Sequence, residues 1–433
     1  MVAEDINQLL NYQLQALQTI SQYPLEYLQN EAYSLLVRLN QVKPFSMTMP
    51  MVKGASVSLE AFKKITALLE NGKSKLREKI LKFIDKIKRE QYDEVSARKL
   101  QSEFSIIKLR FNSILDQLDI FADVLSQRSE HDVGVWLSGL DALAEDGLGI
   151  VKQFAALPSL VVYLDRGHGA AIRRARTRLP GGDENPVAVI QIPRERMVGS
   201  GIASSLIHEV GHQVAALLDL VATLKKQLEV KTTAHRDTIA WKYFERWISE
   251  IVCDAWATGH LGITATIGLM GVVTLPRYFQ FRLDMDDPHP APYARVLLSC
   301  AFGKRIFPHS QWDKLWEMWK AFYPKEGLRE ELIRDLDNIE KTTPAFVDLV
   351  LQHSTKEMNG KKLIELFPIT ERQPVHLKQI YQLWKTNKIS FNGMPPTLVF
   401  AVLGQAKADL LIDAKTESAA LTRLLRRWAF DRN

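Results

Sequence analysis

One short segment combines two histidines and a glutamate at a spacing that suits metal chemistry. Within Ser204–Leu217, whose sequence is SSLIHEVGHQVAAL, His208 and His212 lie four residues apart and Glu209 follows the first histidine directly. Residues four apart lie on one face of a helix, so both imidazoles can reach one metal ion. The glutamate then lies beside that ion and can act on its bound water. Imidazole and carboxylate ligands with one position left for water favour zinc.

Large apolar side chains surround this pattern, namely Leu206, Ile207, Val210 and Val214. Polar groups in such a segment cost free energy unless they are paired or bind a metal. The segment therefore predicts a buried helix with His208 and His212 as metal ligands and Glu209 as the catalytic base. Two histidines that are satisfied within an apolar core are the alternative.

A third metal ligand is expected on a later helix. A pattern extended by a third histidine would require Gly and His where Ala215 and Leu218 stand, which excludes that class. A predicted helix at residues 238–258 carries Glu250 and Asp254 four residues apart on a mostly apolar face. Two buried carboxylates repel each other unless cations or donors meet them, and a zinc ion and a histidine N–H would do so.

We therefore predict that Glu250 binds the metal and that Asp254 orients a ligand histidine from behind. Glu245 is a rival ligand, but Lys242 and Arg246 beside it indicate a surface. A structural ion-pair site is the alternative for the two predicted acids. Cys253, on the same helix, is expected to pack as a small apolar residue, with a redox or metal role as the alternative.

The HEVGH pattern followed by ExxxD on a later helix resembles the gluzincin group of metallopeptidases, the thermolysin-like zincins. The resemblance covers roughly residues 160–295, about a third of the chain. It implies bound zinc, a water nucleophile, hydrolysis of peptide bonds and a hydrogen bond between His208 and Asp254. The gap between His212 and Glu250 is longer than in thermolysin itself, and thermolysin's later substrate-binding motifs are not evident.

A second motif, HPAPYAR at residues 289–295, resembles an HPP…R element. That element follows the glutamate ligand in integral-membrane zinc peptidases that process prenylated proteins and in their bacterial heat-shock relatives. The resemblance implies that His289, Tyr293 and Arg295 lie at the rim of the active site and donate to the oxyanion. A structured proline-rich turn is the alternative for all three.

Two short segments predict strands before the metal-binding pattern. Leu160–Leu164 (LVVYL) is typical of a buried strand, and Pro186–Pro193 (PVAVIQIP) of an edge strand, because prolines bracket it. Zincins place an edge strand beside the metal helix. The resemblance therefore implies that Val187, Val189 and Gln191 bind an extended substrate through the backbone.

The flanking regions predict helices. Apolar residues at helical spacing mark the N-terminal region, namely Leu76, Ile80, Phe83, Ile84 and Ile87. Continuous helices are expected from Gly199 to Val230 and from Thr238 to Thr258. We predict a mainly α fold of the α+β class, with a helical domain at residues 1–155, a zincin-like domain at 156–300 and a helical domain at 301–433.

Two further segments each have a structural interpretation and a functional alternative. Leu261–Leu275 is apolar over about fifteen residues, short of the roughly twenty that span a bilayer. It predicts a buried helix, with contact to a membrane surface as the alternative. An arginine cluster favours a solvated surface, with anion binding as the alternative; it comprises Arg173, Arg174, Arg176 and Arg178.

The composition indicates the class of protein and its cellular location, but it does not indicate the substrate. Among 433 residues, 46% are hydrophobic and 24% charged, the balance of a globular protein. A net charge of +6 is too mild to predict a nucleic-acid partner, and a membrane surface is not favoured. Two cysteines and a start without a basic region and an apolar run predict a cytoplasmic location, with export by a dedicated machine left open.

The sequence thus predicts a zinc-dependent peptidase that hydrolyses peptide bonds in a peptide or protein substrate. Zinc and Glu209 would activate water, and the glutamate would then pass its proton to the leaving amine. Three alternatives stay open: a non-catalytic zincin-like scaffold, a delivered toxin protease that acts on one protein, and a peptidase of the membrane surface. The substrate and the oligomeric state are left open.

Overall fold

The computed structural model describes residues 23–43, 45–165, 169–194, 199–234 and 239–432. The N-terminal segment that lacks a signal pattern and the start of the helix predicted from Thr238 lie outside these residues. The chain divides into two compact units. Unit 1 comprises residues 1–50, 59–126 and 176–186. Unit 2 comprises residues 51–58, 127–175 and 187–433.

Unit 1 is built from helices. They are α1 at residues 23–41, α2 (Phe45–Thr48), α3 (Leu59–Arg89) and α4 (Glu94–Ser126). The predicted apolar stripe of α3 is buried in a core that it shares with α1 and α4. Asp93 stands before α4, and its Oδ1 accepts the N–H groups of Val95 at 2.8 Å and Ser96 at 2.9 Å. This cap satisfies two donors that a helix start otherwise leaves open.

Unit 2 contains a three-stranded sheet in the order β1-β3-β2. β1 (Leu160–Asp165) pairs in parallel with β3 (Ala188–Pro193), and β2 (Ala171–Arg173) pairs antiparallel with the other side of β3. Both predicted strands are confirmed. The prediction that Pro186–Pro193 forms an edge strand is wrong, because β3 is hydrogen-bonded on both sides and lies between β1 and β2.

The rest of unit 2 is helical. Its helices are α5 (His131–Leu148), α6 (Gly201–Leu217), α7 (Leu220–Ala234), α8 (Ile239–Leu261), α9 (Ile263–Val273), α10 (Arg277–Gln280), α11 (Pro292–Ile306), α12 (Gln311–Phe322), α13 (Glu330–Leu351), α14 (Pro374–Lys385), α15 (Pro396–Ala408) and α16 (Ala414–Arg432). The prediction of a mainly helical protein with a small sheet is confirmed.

The long helix predicted from Gly199 is interrupted. The chain forms α6 and then α7, because Asp219 adopts a left-handed backbone with φ of 49°. Asp is one of the few residues that tolerates this conformation in a turn. The break lies beyond the metal-binding pattern, so the predicted helix that carries the pattern itself is intact.

The apolar stretch Leu261–Leu275 contains the last residue of α8 and all of α9, and it is largely buried, as predicted. α9 lies against α6: Ser204 Oγ donates to the Ala265 carbonyl at 2.8 Å. A Cβ on Gly268 would come within 2.4 Å of the Ser204 side chain, so only glycine permits this approach. Within the described part of the chain, no helix has the length and apolarity that a membrane crossing requires.

The C-terminal helix α16 packs closely on α5. A Cβ on Gly139 of α5 would lie 2.3 Å from the Leu425 carbonyl oxygen, so the two backbones are nearly in contact. Arg432 donates to Asp141 at 3.0 Å and to Glu145 at 2.6 Å. One apolar core runs from Trp136 on α5 to α16. The predicted boundaries near residues 155 and 300 therefore do not coincide with the division into units.

A buried histidine in this core should make stability depend on pH. His260 on α8 packs on the Trp256 ring at 4.4 Å between centroids, and its Nδ1 lies 3.0 Å from the Trp256 carbonyl. Burial lowers its pKa to about 4, so below pH 6.5 the unfolded chain binds a proton that the folded chain excludes.

We expect stability to fall as pH drops from 6.5 towards 4. Between pH 7.5 and 5.5, urea unfolding of the wild-type protein should lose about 1 kcal/mol more than that of His260→Gln. His376→Gln is the matched control, because His376 is exposed. Equal losses in the wild type and in His260→Gln would contradict the prediction.

Candidate metal centre

Helix α6 places His208, Glu209 and His212 together in the interior of unit 2. The two imidazole rings lie 5.1 Å apart between centroids and nearly perpendicular to each other. His208 and Glu209 are buried, and His212 is partly exposed. The spacing of four residues therefore brings both rings to one face, as the helical repeat requires.

Helix α8 crosses α6 at the same level and presents Glu250 to both rings. Glu250 Oε2 lies 3.2 Å from His208 Nε2, and Oε1 lies 3.4 Å from His212 Nε2. Gly211 makes this crossing possible, because a Cβ there would come within 2.8 Å of the Cys253 Cα. The glycine of the HEVGH pattern thus sets the distance between the two helices.

These separations fit a zinc ion. Zinc binds imidazole nitrogen and carboxylate oxygen at roughly 2.0–2.2 Å in tetrahedral sites, which places neighbouring ligand atoms about 3.3 Å apart. The Glu250 oxygens stand at 3.2 and 3.4 Å from the imidazole Nε2 atoms. Three such donors would leave the fourth tetrahedral position for water, as in catalytic zinc sites.

Asp254, itself bound by Arg295, fixes the orientation of the His208 ring. Asp254 Oδ1 lies 2.8 Å from His208 Nδ1, so this nitrogen donates its proton to the carboxylate and leaves Nε2 for a metal. Arg295 of α11 donates to Asp254 through Nε at 2.7 Å and through Nη2 at 3.0 Å. Burial opposes ionisation of Asp254, but the Arg295 charge and His208 outweigh it and hold the pKa of that carboxyl well below its usual range.

Cys253 also approaches the two histidines. Its sulfur and one nitrogen of each ring lie within 4.8 Å of one another, close enough for a His-His-Cys metal cluster. The Cys253 thiol donates to the Ser249 carbonyl at 3.1 Å, and burial raises its pKa well above the usual value. Glu250, with oxygens 3.2 and 3.4 Å from the two Nε2 atoms, and Cys253 are therefore both candidates for the third ligand.

Burial also shifts the proton affinities of the three α6 residues. It raises the pKa of Glu209 to about 7. Burial and the charge of His208 lower the pKa of His212 to about 4. Burial alone would lower the pKa of His208, but Asp254 and Glu250 raise it to about 9. A metal ion bound at Nε2 would therefore displace a proton from His208.

A cavity of about 460 Å³ opens onto these groups. Its lining includes His208, Glu209, His212 and Glu250, so the predicted ligands and the predicted base face one space. The walls also include apolar side chains of α9 and residues in and beside β2, namely Leu269, Val272, Ala171, Ile172 and Arg174. A molecule in the cavity would contact the metal centre and the edge strand together.

The structure brings only some of the predicted rim residues to this cavity. His289 is exposed and lines it, with Nε2 3.9 Å from Glu250 Oε2. Arg295 lines it too, but its guanidinium is bound to Asp254. Tyr293 is buried elsewhere in unit 2, where its hydroxyl donates to Glu340 at 3.0 Å. The predicted role of Tyr293 as an oxyanion donor therefore lacks support in the geometry.

The predicted substrate-binding residues lie on the central strand or beside it. Val187 and Val189 are buried, and Gln191 Oε1 accepts the Tyr163 hydroxyl at 3.2 Å. The backbone of β3 is already paired with β1 and β2, so it cannot add a substrate strand. β1 and β2 are the outer strands of the sheet. Side chains of Asp141 and Gln127 accept N–H groups on the outer side of β1, whereas β2 lines the cavity. Sequence reasoning missed β2 because three residues give no periodic signal.

Searches against protein-family models, curated proteins and solved structures find no match to this chain.

Proposed function

We propose that this chain is a zinc-dependent peptidase whose catalytic unit is of the gluzincin type. One observation carries the proposal. Glu250 approaches the Nε2 atoms of His208 and His212 at 3.2 and 3.4 Å, and Glu209 stands beside them in an open cavity. Two imidazoles, a carboxylate, a neighbouring acid and space for a substrate are the parts that metal-assisted peptide hydrolysis requires.

The proposal gives each residue a role. His208, His212 and Glu250 would hold zinc, which polarises a water molecule and the substrate carbonyl when bound. Glu209, with its pKa raised to about 7 by burial, takes the proton from the attacking water and passes it to the leaving amine. Asp254 keeps His208 in the tautomer that leaves Nε2 available for the metal.

The edge of β2 supports a peptide as the substrate. β2 pairs with β3 on one side and lines the cavity through Ala171 and Ile172. An extended peptide can add to such an edge through backbone hydrogen bonds, which fixes its direction and register. His289 is exposed and lines the same cavity, and in this proposal it would donate to a developing oxyanion.

A second candidate function follows from Cys253. If Cys253 joined the two histidines and Glu250 as a ligand, four protein donors would close the coordination sphere, which is typical of structural zinc sites. The chain would then be a non-catalytic, zinc-stabilised scaffold. The thiol's hydrogen bond to the Ser249 carbonyl, which directs it along its own helix, favours the peptidase.

Metal content tests the ligand set directly. The protein, purified without a metal-affinity tag, should contain about one zinc per chain by mass spectrometry. We expect His212→Ala and Glu250→Ala to lose the metal, since each removes one of three donors, and Cys253→Ser to keep it. Loss in Cys253→Ser together with loss in Glu250→Ala would favour the scaffold. A wild-type protein that takes up no zinc after reconstitution would contradict both functions.

A further inference from the structure

A second cavity lies within unit 1, between α3 and α4. Its volume is about 280 Å³, and the turn at Pro180–Gly182 borders it. The buried amide of Gln117 fixes this turn, because its Nε2 donates to the Pro180 carbonyl at 2.7 Å and to Asp183 Oδ2 at 3.0 Å. Four exposed basic residues line the cavity, namely Lys75, Lys79, Lys82 and Arg110.

The carboxylates that line this cavity are bound to other groups. Glu78 Oε1 accepts a hydrogen bond from Lys82 Nζ at 2.6 Å, one turn further along α3. Asp183 accepts the amide of the buried glutamine described above. Across the described part of the chain, no ion pair and no side-chain hydrogen bond involves the remaining three cations, which are Lys75, Lys79 and Arg110. Three cations thus line one cavity without an acidic partner.

The register of α3 and α4 places two of these cations opposite each other. The helices run antiparallel, and Lys86 Nζ donates to Glu103 Oε2 at 2.5 Å across them. Seven residues are about two helical turns, so the same register brings Lys79 opposite Arg110. Lys75, four residues before Lys79 on α3, adds a third positive charge on the same face. Like charges at such positions repel each other, and an anion between them would remove the repulsion.

A glycine keeps space open beside these cations. Gly72 lies two turns before Lys79 on α3 and lines the cavity. A Cβ at Gly72 would lie 3.6 Å from the Ile114 side chain, which is an ordinary contact, so packing does not require glycine here. Glycine in the interior of a helix is destabilising relative to alanine. The cavity is therefore open at a position where a larger side chain would fit and would stabilise the helix.

We propose that this cavity binds a small molecule or a lipid headgroup that carries at least two phosphate groups. A phosphate group carries nearly two negative charges and three acceptor oxygens, so one phosphate can accept hydrogen bonds from Lys79 and Arg110 together. Lys75 and Lys79 are about 6 Å apart along the axis of α3, which leaves room for a second phosphate beside the first. The site lies in unit 1, so it is independent of the proposed peptidase activity.

Inorganic pyrophosphate is the first probe. Isothermal titration calorimetry of the full-length protein, at constant ionic strength, should show saturable binding. The double variant Lys79→Gln/Arg110→Gln should bind at least tenfold more weakly, since it removes charge-assisted hydrogen bonds from both helices. Its melting temperature without ligand should not fall, because the same change removes the repulsion. Both substitutions leave the candidate metal centre unchanged, so binding of pyrophosphate to a metal there would not produce this loss.

Arg77→Gln/Lys108→Gln is the matched control. Arg77 and Lys108 are exposed on the same two helices, and neither belongs to the cavity lining. This variant loses the same charge and should bind pyrophosphate as the wild type does. Gly72→Met changes no charge and should also weaken binding, because its side chain would fill the cavity. Equal affinities of the two double variants, or wild-type affinity in Gly72→Met, would overturn the proposal.

Vesicles distinguish the two sources of the phosphate groups. The full-length protein is sedimented with phosphatidylcholine vesicles that contain either phosphatidylinositol bisphosphate or phosphatidylserine at the same surface charge. Retention on the bisphosphate vesicles alone, lost in Lys79→Gln/Arg110→Gln, would assign a lipid headgroup. Pyrophosphate binding without such retention would assign a soluble ligand, and either result upholds the proposal. Binding of neither probe, or of single-stranded DNA in place of both, would overturn it.

Discussion

The Glu209→Gln variant is expected to keep one zinc per chain and to lose peptide hydrolysis by about 10³-fold. Glu209 is not among the three donors that approach each other at the distances of a zinc site, so its substitution leaves the ligand set intact. Gln has the same shape but cannot accept the proton of the attacking water. The loss should therefore fall on kcat, with little change in zinc content or in the melting temperature.

Hydrolysis is followed by the new N-termini that the zinc-loaded protein generates in a peptide mixture, and zinc by mass spectrometry. Glu245→Gln is the matched control, because it makes the same change on α8 at a residue that does not line the cavity. It should retain both metal and turnover. Wild-type rates in Glu209→Gln would remove this residue from the mechanism. Loss of zinc in Glu245→Gln would instead indicate that Glu245 is the third ligand.

The second large effect is expected for Arg295→Met. This change leaves Asp254 buried without the cation that donates to both of its oxygens. Breaking a buried ion pair from one side costs about 3 kcal/mol or more, since the remaining charge is left without compensation. Because Asp254 orients His208, zinc affinity should also fall roughly ten- to hundredfold.

Arg305→Met on the same helix is the control. Arg305 donates to Asp348 at 2.6 Å, but both side chains are about half exposed, so this pair should contribute less than about 1 kcal/mol. Urea unfolding of the zinc-free proteins measures the stability, and competition with a chelator measures the affinity. In the double variant Asp254→Asn/Arg295→Met, stability should partly return while zinc affinity stays low. Equal costs for Arg295→Met and Arg305→Met would contradict the buried pairing.

The helix of the candidate site was predictable because its signal is local. Two histidines four residues apart lie on one face of any helix, and the apolar neighbours of the pattern indicate burial. The same reasoning applies to Glu250 and Asp254 on α8. In the structure, Asp254 lies 2.8 Å from His208 Nδ1, which is the pairing that the resemblance to gluzincins implied. Local periodicity thus placed four of the side chains that line the cavity.

Other parts of the site depend on contacts that no local pattern contains. The approach of Cys253 depends on α8 crossing α6 at Gly211, and a sequence does not reveal which residue faces a helical glycine. Arg295 was expected to face a substrate, but the position of α11 directs it to Asp254. The break at Asp219 has neither proline nor glycine to mark it. The edge strand β2 is too short for any pattern to predict it.

The packing of α16 on α5 has a consequence for the order of folding. Arg432 and Glu145 are 287 residues apart in sequence, and the helices that carry them close the same core as α6 and α8. Closing a loop of this length costs conformational entropy, and only the contacts made afterwards offset that cost. Such contacts are therefore expected to form late in folding. During synthesis, α5 keeps an apolar face without its native cover until α16 has been made. The proposed ligands can therefore all be present in a nascent chain whose core is still open, and a fully packed unit 2 arises only after nearly the entire described chain has been translated.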